Sequence, residues 1–205
     1  MGGHDPYSSS KGCVELLTSS FRKSFFNISD YKTKHNTLVA SARAGNVIGG
    51  GDWSEDRLIP DIIKATLKKQ KVSIRNLFST RPWQHVLEPL NGYLLLGEKL
   101  LMGNKEFADA WNFGPEESEV LMVKQILDLA NQTWEEVSYI NEIDVNNPHE
   151  AHLLSLNIEK SKKYLKWNPV WNNEKAVEKT ISWYKNFYLN NIISTNEDID
   201  SFYSK

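Results

Sequence analysis

Tyr7 and Lys11 lie four residues apart in the segment DPYSSSKGCVELL, which has the pattern of a helix. Residues at this spacing share one helix face about one turn apart, so their side chains can act together. A neutral phenol is a weak base at neutral pH, but an ammonium group beside it favours the phenolate. Such a phenolate can take a proton from a hydroxyl while a nicotinamide ring accepts the hydride. With eight tyrosines in the chain, the spacing could also arise by chance.

A glycine-rich segment, AGNVIGGGDW at residues 44–53, follows a predicted strand. Glycines let backbone amides approach a phosphate closely. However, the segment contains neither G-x-G-x-x-G opening a helix nor the lysine of a P-loop. We therefore expect a loop that lines a substrate pocket rather than a dinucleotide-binding turn.

The segment RPWQH at residues 81–85 places a guanidinium beside an indole and an imidazole. This combination suits a diphosphate and the face of a sugar or base; the alternative is a surface arginine beside a core tryptophan. His149 and His152 are three residues apart and lack the H-E-x-x-H arrangement, so no metal site is expected. Cys13 is expected to pack on the inner face of the first helix, and the seven tryptophans to be mostly core residues.

The periodicity of apolar residues predicts alternating helices and strands, which is the pattern of an α/β protein. The first helix is expected at 8–26, with Cys13, Val14, Leu17, Phe21 and Phe25 at helical spacing. A polar tail from residue 190 onward is expected to be frayed. The other expected helices are 58–69, 86–102 (apolar and buried), 123–134, 158–165 and 176–188, and the expected strands are 37–43, 71–76, 111–114 and 137–140.

Composition excludes several classes of protein. The 205 residues carry a formal net charge of −2, which provides no basic surface for nucleic acid. One cysteine allows neither an internal disulfide nor a thiolate zinc site, and this favours a reducing, cytoplasmic setting. No apolar run approaches the roughly 20 residues needed to span a bilayer, so no membrane partner is expected.

Seven blocks in order carry a resemblance to a known family: DPYSSSK, ARAGNVIGGGDW, RLIPDII, IRN, RPWQHVLEPLNGYLLL, WNFGP and PHEAHLL. Together they resemble the CDP-glucose 4,6-dehydratases, which are extended short-chain dehydrogenases/reductases. The resemblance reaches to about Tyr188, and the fifth block is its most characteristic part. It implies an incomplete Rossmann-type doubly wound sheet with a small α/β substrate-binding lobe.

The resemblance also implies a division of the chain and a reaction. Residues 1–57 would belong to the NAD-binding domain, 58–189 mostly to the sugar-nucleotide lobe with interleaved Rossmann elements, and 190–205 to a polar tail. In the reaction, bound NAD oxidises the glucose C4 hydroxyl, water leaves across C5 and C6, and the hydride returns to C6. Helix one would resemble the element through which such enzymes form dimers.

Site residues follow from the same resemblance. Tyr7 would be the base at C4, and Lys11 would favour its phenolate and hold the nicotinamide ribose, so both would also bind the cofactor. Asn46 would contact the substrate and Arg81 would hold the diphosphate. Further candidates for the substrate pocket are Asp52, Trp53, Arg57, His85 and His152.

The sequence departs from the family pattern in two respects. The Gly-rich βαβ half that binds the dinucleotide is expected before DPYSSSK, and no residue matches the Thr-Asp-Lys or Thr-Asp-Glu segment that drives elimination. The sequence therefore leaves two hypotheses: an enzyme, alone or completed by a separate N-terminal half, or an inactive sugar-nucleotide-binding or assembly fragment. Epimerases and decarboxylases, which share the Tyr and Lys pair, are a lesser alternative.

Overall fold

The computed structural model describes residues 5–142 and 155–204. Helices and strands alternate along most of this part of the chain, as predicted. The α-helices are α1 (Pro6–Ser24), α2 (Leu58–Leu67), α3 (Leu87–Leu101), α4 (Val123–Thr133), α5 (Asn173–Lys185) and α6 (Thr195–Tyr203). The strands are β1 (Ser41–Ala44), β2 (Asn46–Ile48), β3 (Val72–Ile74), β4 (Thr80–Arg81), β5 (Trp83–His85), β6 (Ala110–Phe113), β7 (Leu121–Met122) and β8 (Tyr139–Asn141). Two π-helical turns, Ser161–Leu165 and Asn186–Asn190, complete the predicted helices 158–165 and 176–188.

Helix α1 begins where local chemistry requires. The Asp5 carboxylate accepts a hydrogen bond from the Ser8 backbone N–H at 2.9 Å, which satisfies one free donor of the first turn. Pro6 occupies the first turn, where its missing N–H costs nothing. Arg22 and Lys23 lie in the last turn, where positive charge is favourable. The helix predicted over 8–26 is thus confirmed, with its start two residues earlier.

The face that α1 turns toward the strands is not the predicted one. None of its residues is buried, and Cys13 is exposed, so the expectation that Cys13 packs inward is wrong. The helix is held instead by polar contacts: the Glu15 carboxylate accepts two hydrogen bonds from the Arg43 guanidinium, both at 2.6 Å. Arg22 donates to the backbone oxygen of Ala108 at 3.1 Å. These anchors do not involve Val14, Leu17, Phe21 or Phe25, which are all exposed.

Three parallel strand pairs and one antiparallel pair form the β-structure. Strand β1 pairs with β6, β2 with β5 and β3 with β8, all in parallel, whereas β4 and β7 are antiparallel. The predicted strand 37–43 is shorter and lies later, at β1. Four short strands, β2, β4, β5 and β7, were not predicted; among them β2 lies inside the glycine-rich segment and β5 inside RPWQH. Pairing with each other explains both, since neither has the length or alternation of an independent strand.

Two hydrophobic clusters hold the described residues together. The larger joins α2, α4 and α5, where Ile62, Ile126 and Val177 are each 0% exposed. The smaller surrounds β6 and includes Trp111 and Trp167. Six of the seven tryptophans are buried, which confirms their predicted role in the core.

Helix α3 is only half buried, contrary to the prediction of a buried helix. Gly92 lies so close to Phe113 that a Cβ there would overlap the ring, and this contact seats the helix on β6. The opposite side is open, with Leu94 and Leu101 68% and 91% exposed.

The prediction of a frayed tail is also wrong, because α6 forms there and packs against α5 and Trp171. Phe202 is 2% exposed and meets the Trp171 ring at 5.2 Å between centroids. Asp198 is buried and pairs with Lys179 at 2.9 Å. One aromatic anchor and one buried ion pair order a segment whose polar composition had suggested disorder.

Candidate active site

A cleft of about 1200 Å³ opens at the carboxyl ends of β1, β2 and β3. Gly45 follows β1, Gly49 follows β2 and Arg75 follows β3, and all three line the cleft. Such ends of parallel strands are where α/β proteins place ligands. The cleft brings together five of the residues singled out from the sequence: Tyr7, Asn46, Asp52, Arg57 and Arg81.

Tyr7 and Lys11 form the pair that the helix spacing predicted. The Lys11 Nζ lies 5.5 Å from the centroid of the Tyr7 ring, within the range of a cation–π contact. Tyr7 is 70% exposed and lines the cleft, so its hydroxyl is open to a ligand. The ion pair between Glu15 and Arg43 fixes α1, and therefore this pair, relative to β1. Tyr7 therefore offers a hydroxyl at the cleft, whereas Lys11 is not among the residues that line the cleft and lies over the Tyr7 ring instead.

Three arginines line the cleft, and one of them was not singled out from the sequence as a site residue. Arg57 precedes α2, Arg81 lies on β4, and Arg75 follows β3. The turn after Arg75 is ordered by Asn76, whose side-chain oxygen accepts hydrogen bonds from the N–H groups of Phe78 and Ser79, both at 3.1 Å. The sequence could have indicated Arg75, because it lies near the end of a predicted strand, and ligands bind at the carboxyl ends of such strands.

Asp52 is an ionised acceptor on one wall of the cleft. Hydrogen bonding with Ser54 lowers the pKa of the Asp52 carboxyl, and the Ser54 N–H lies 2.9 Å from its oxygen. Burial instead raises the pKa of Asp61, which also lines the cleft. A carboxylate such as that of Asp52 can accept hydrogen bonds from sugar hydroxyls.

The glycine-rich segment lines the cleft but packs differently from a phosphate-binding turn. A Cβ on Gly50 would overlap the ring of Trp183, so the close approach that this glycine permits is made to an indole. Gly51 adopts φ +85, which bulkier residues rarely do. Trp53 follows Asp52, is half exposed, and is not among the residues that line the cleft.

His85 is not brought to the cleft. Its side chain lies in the interior, 4% exposed, with its ring 4.9 Å from that of Trp171. The Leu87 N–H donates to its Nδ1 at 3.3 Å. Burial, with a smaller contribution from Lys179, lowers the pKa of His85 to about 4. A neutral, enclosed imidazole of this kind supports the packing of β5.

Acid should therefore destabilise the fold through His85. Above a pH of about 6.5 the histidine is neutral in both states; as the pH falls from there toward 4, only the unfolded chain takes up the proton. The loss of unfolding free energy attributable to His85 should total roughly 3 kcal/mol. Urea unfolding at several pH values would measure it, and the His85→Phe variant should lose this part of the dependence. If the unfolding free energy of both proteins fell by the same amount between pH 6.5 and pH 4, His85 would not be the source of the acid sensitivity.

The remaining histidine candidate, His152, lies outside the described residues, as do His149 and the block PHEAHLL. Within residues 5–142 and 155–204, no group of three or more histidine, cysteine or acidic side chains is placed to hold a metal ion. No helix in the same two stretches is long and apolar enough to cross a membrane.

Comparison with solved structures shows which fold this is. An epimerase from Methanothermobacter thermautotrophicus superimposes with a TM-score of 0.75 at 21% identity, covering 93% of this chain and 53% of the epimerase. The dTDP-glucose 4,6-dehydratase of Bacillus anthracis, solved in complex with NAD, gives a TM-score of 0.69 at 18% identity, with 92% and 55% covered. The fold is that of the nucleotide-sugar epimerases and dehydratases. The predicted Rossmann-type α/β class is thereby confirmed.

Sequence comparison is more specific about the relatives. The chain is 47% identical over 186 residues to the CDP-glucose 4,6-dehydratase of Salmonella typhimurium, covering 90% of this chain and 51% of the relative. It is 24% identical to the human dTDP-D-glucose 4,6-dehydratase, covering 91% and 50%. No family model matches the chain. The predicted resemblance to CDP-glucose 4,6-dehydratases is confirmed, and the chain spans about half the length of the curated relatives it matches.

Proposed function

We propose that this chain forms the sugar-nucleotide half of a CDP-glucose 4,6-dehydratase, which converts CDP-glucose to CDP-4-keto-6-deoxyglucose with NAD for the synthesis of deoxysugars of surface polysaccharides. The observation that carries the proposal is the single cleft that joins Tyr7 to Asn46, Asp52 and the arginines. The 47% identity to the Salmonella enzyme supports CDP-glucose as the substrate. The reducing setting that the single cysteine favours supports a cytoplasmic location.

The charge of the cleft supports a diphosphate ligand. Of the five arginines in the chain, Arg22 and Arg43 pair with Asp109 and Glu15, away from the cleft. The other three line the cleft, where planar guanidinium groups can bind phosphate oxygens with two hydrogen bonds each. We assign Arg57, Arg75 and Arg81 to the diphosphate.

The glucose unit of the substrate would lie toward α1. The Tyr7 phenolate would take the proton of the C4 hydroxyl, and Lys11 would stabilise the negative charge on the phenolate and hold the nicotinamide ribose. When bound, NAD supplies the acceptor for the C4 hydride and later the hydride for C6. Asn46 and Asp52 would orient the sugar through hydrogen bonds to its hydroxyl groups.

Assembly is part of the proposal. Helix α1 exposes an apolar face formed by Val14, Leu17, Phe21 and Phe25. Exposed apolar patches of this kind mark contact surfaces. We propose that this face joins two copies into a homodimer, or else contacts a segment that completes the NAD-binding domain.

Calorimetric titration of the chain with CDP-glucose tests the proposed ligand. Binding is expected, and Arg75→Gln should weaken it about tenfold or more, because a hydrogen bond to a charged group contributes about 1.5–3 kcal/mol. Lys68→Gln is the matched control, since it removes one positive charge at an exposed position outside the cleft. Absence of CDP-glucose binding would refute the proposal, whereas binding of CDP-glucose without NAD would favour the alternative of a sugar-nucleotide-binding fragment.

A further inference from the structure

One wall of the cleft is a short turn that carries no regular structure of its own. It consists of residues 50–53, between β2 and α2, and is called here the cleft turn. Asp52 of this turn lines the cleft, together with Gly49 before it and Ser54 after it. Two glycines in four residues leave the backbone free to adopt many conformations. Contacts from residues outside the turn must therefore fix its backbone conformation.

The Tyr184 hydroxyl of α5 forms hydrogen bonds with both backbone groups of Asp52. The Tyr184 hydroxyl accepts a hydrogen bond from the Asp52 N–H at 2.8 Å and donates one to the Asp52 carbonyl oxygen at 2.5 Å. The side chain is 0% exposed, and burial raises the pKa of Tyr184 to about 12. The hydroxyl thus keeps its proton at neutral pH, so it can donate and accept at the same time.

The residues on either side of Asp52 meet the same helix and its extension. Gly50 lies directly against the Trp183 ring. Trp53 donates its indole N–H to the Tyr188 hydroxyl at 2.9 Å, and its ring lies 5.8 Å from that of Phe187. Between these contacts, Asp52 is the residue of the cleft turn that lines the cleft.

Helix α6 in turn contacts the part of α5 that packs against the cleft turn. The Trp183 indole N–H donates to the Thr195 hydroxyl at 2.9 Å. Lys179, one turn before Trp183, pairs with the buried Asp198. A chain of direct contacts therefore runs from α6 through α5 to the cleft turn.

We propose that Tyr184 is a positioning residue for the cleft: by holding both backbone groups of Asp52, it keeps the cleft turn in the shape that the sugar nucleotide binds. The part concerning the ligand rests on the proposed function. A ligand that meets an already ordered wall does not have to order that wall on binding, so affinity is higher.

Hydrogen exchange and calorimetry on the full chain test the proposal with the Tyr184→Phe variant. The Asp52 amide should be protected in the wild-type chain and should exchange at least tenfold faster in the variant, because its acceptor is gone. Affinity for CDP-glucose should fall about fivefold or more. Tyr203→Phe is the matched control: Tyr203 is 56% exposed on α6, and its loss of a hydroxyl should leave both quantities unchanged.

A second variant separates positioning from general stability. Val177 is 0% exposed in the middle of α5 and does not line the cleft, so Val177→Ala should lower the urea midpoint of unfolding while affinity stays within twofold. Equal loss of affinity in Val177→Ala and Tyr184→Phe, or an Asp52 amide that stays protected in Tyr184→Phe, would overturn the proposal. If the wild-type chain binds no CDP-glucose, the proposed function fails, while the exchange comparison still decides whether Tyr184 holds the turn.

Discussion

Replacing Tyr7 with phenylalanine is expected to lower the rate of 4-keto-sugar formation from CDP-glucose by about 100- to 10,000-fold, the range for loss of a general base. The variant keeps the ring and loses only the hydroxyl, which is the group that would accept the C4 proton. Helix α1 should remain in place, because its anchors, Glu15 and Arg22, do not involve Tyr7.

The measurement is the yield of 4-keto sugar over time, followed by mass spectrometry in a preparation that converts CDP-glucose with NAD. Affinity for CDP-glucose should change by less than about threefold, because the effect lies in the chemical step. Tyr164→Phe is the matched control, since Tyr164 is 57% exposed and does not line the cleft. Equal rates for Tyr7→Phe and the wild type would exclude Tyr7 as the base.

Local signals in the sequence were enough to locate α1 but not to orient it. Apolar spacing predicted a helix from residue 8, and the cap formed by Asp5 together with Pro6 in the first turn explains why the helix begins two residues earlier. Apolar spacing then suggested that Cys13 faces inward, yet the helix is anchored by Glu15 and Arg43. A pair of charges 28 residues apart gives no periodic signal, and exposed apolar side chains on a contact surface resemble core residues in sequence.

The cleft shows the same division between local and distant information. Strand ends and the ordered blocks identified Asn46, Asp52, Arg57 and Arg81, which the structure does bring to one opening. They could not separate His85 from Arg81, which lies four residues earlier: all three residues of β5 are buried and the His85 ring packs against Trp171, whereas Arg81 on β4 lines the cleft. Arg75 appeared in the sequence only as part of the block IRN. Its position at the cleft follows from the pairing of β3 with β8.

Helix α6 illustrates how few contacts can order a polar segment. The polar composition of the segment from residue 190 onward predicted a frayed tail. Composition weighs all residues equally, whereas Phe202 and Asp198 alone supply the buried contacts. Those contacts depend on Trp171 and Lys179, whose positions were not available from the sequence.

The second large effect is expected at Glu88, a buried carboxylate that joins two parts of the fold. Glu88 is 1% exposed in the first turn of α3. Its carboxylate accepts hydrogen bonds from the backbone N–H groups of Val170, at 3.0 and 3.1 Å, and of Trp171, at 2.7 Å. Its carbonyl oxygen accepts another from the Trp167 indole at 3.2 Å. Glu88 therefore provides the acceptors for the backbone N–H groups of Val170 and Trp171 and for the Trp167 indole, in a segment that contains a proline.

Glu88→Ala should lower the free energy of unfolding by about 4 kcal/mol, because two buried N–H groups lose their acceptor and a cavity replaces the side chain. Urea unfolding would measure the change. Glu98→Ala on the same helix is the matched control; Glu98 is exposed, so its removal should change stability by no more than about 0.5 kcal/mol. Glu88→Gln keeps the volume but offers one acceptor oxygen instead of two, so an intermediate loss is expected. A loss below about 1 kcal/mol for Glu88→Ala would mean that water satisfies the N–H groups of Val170 and Trp171, and the segment would then be held mainly by Trp167 and Trp171 in their hydrophobic contacts.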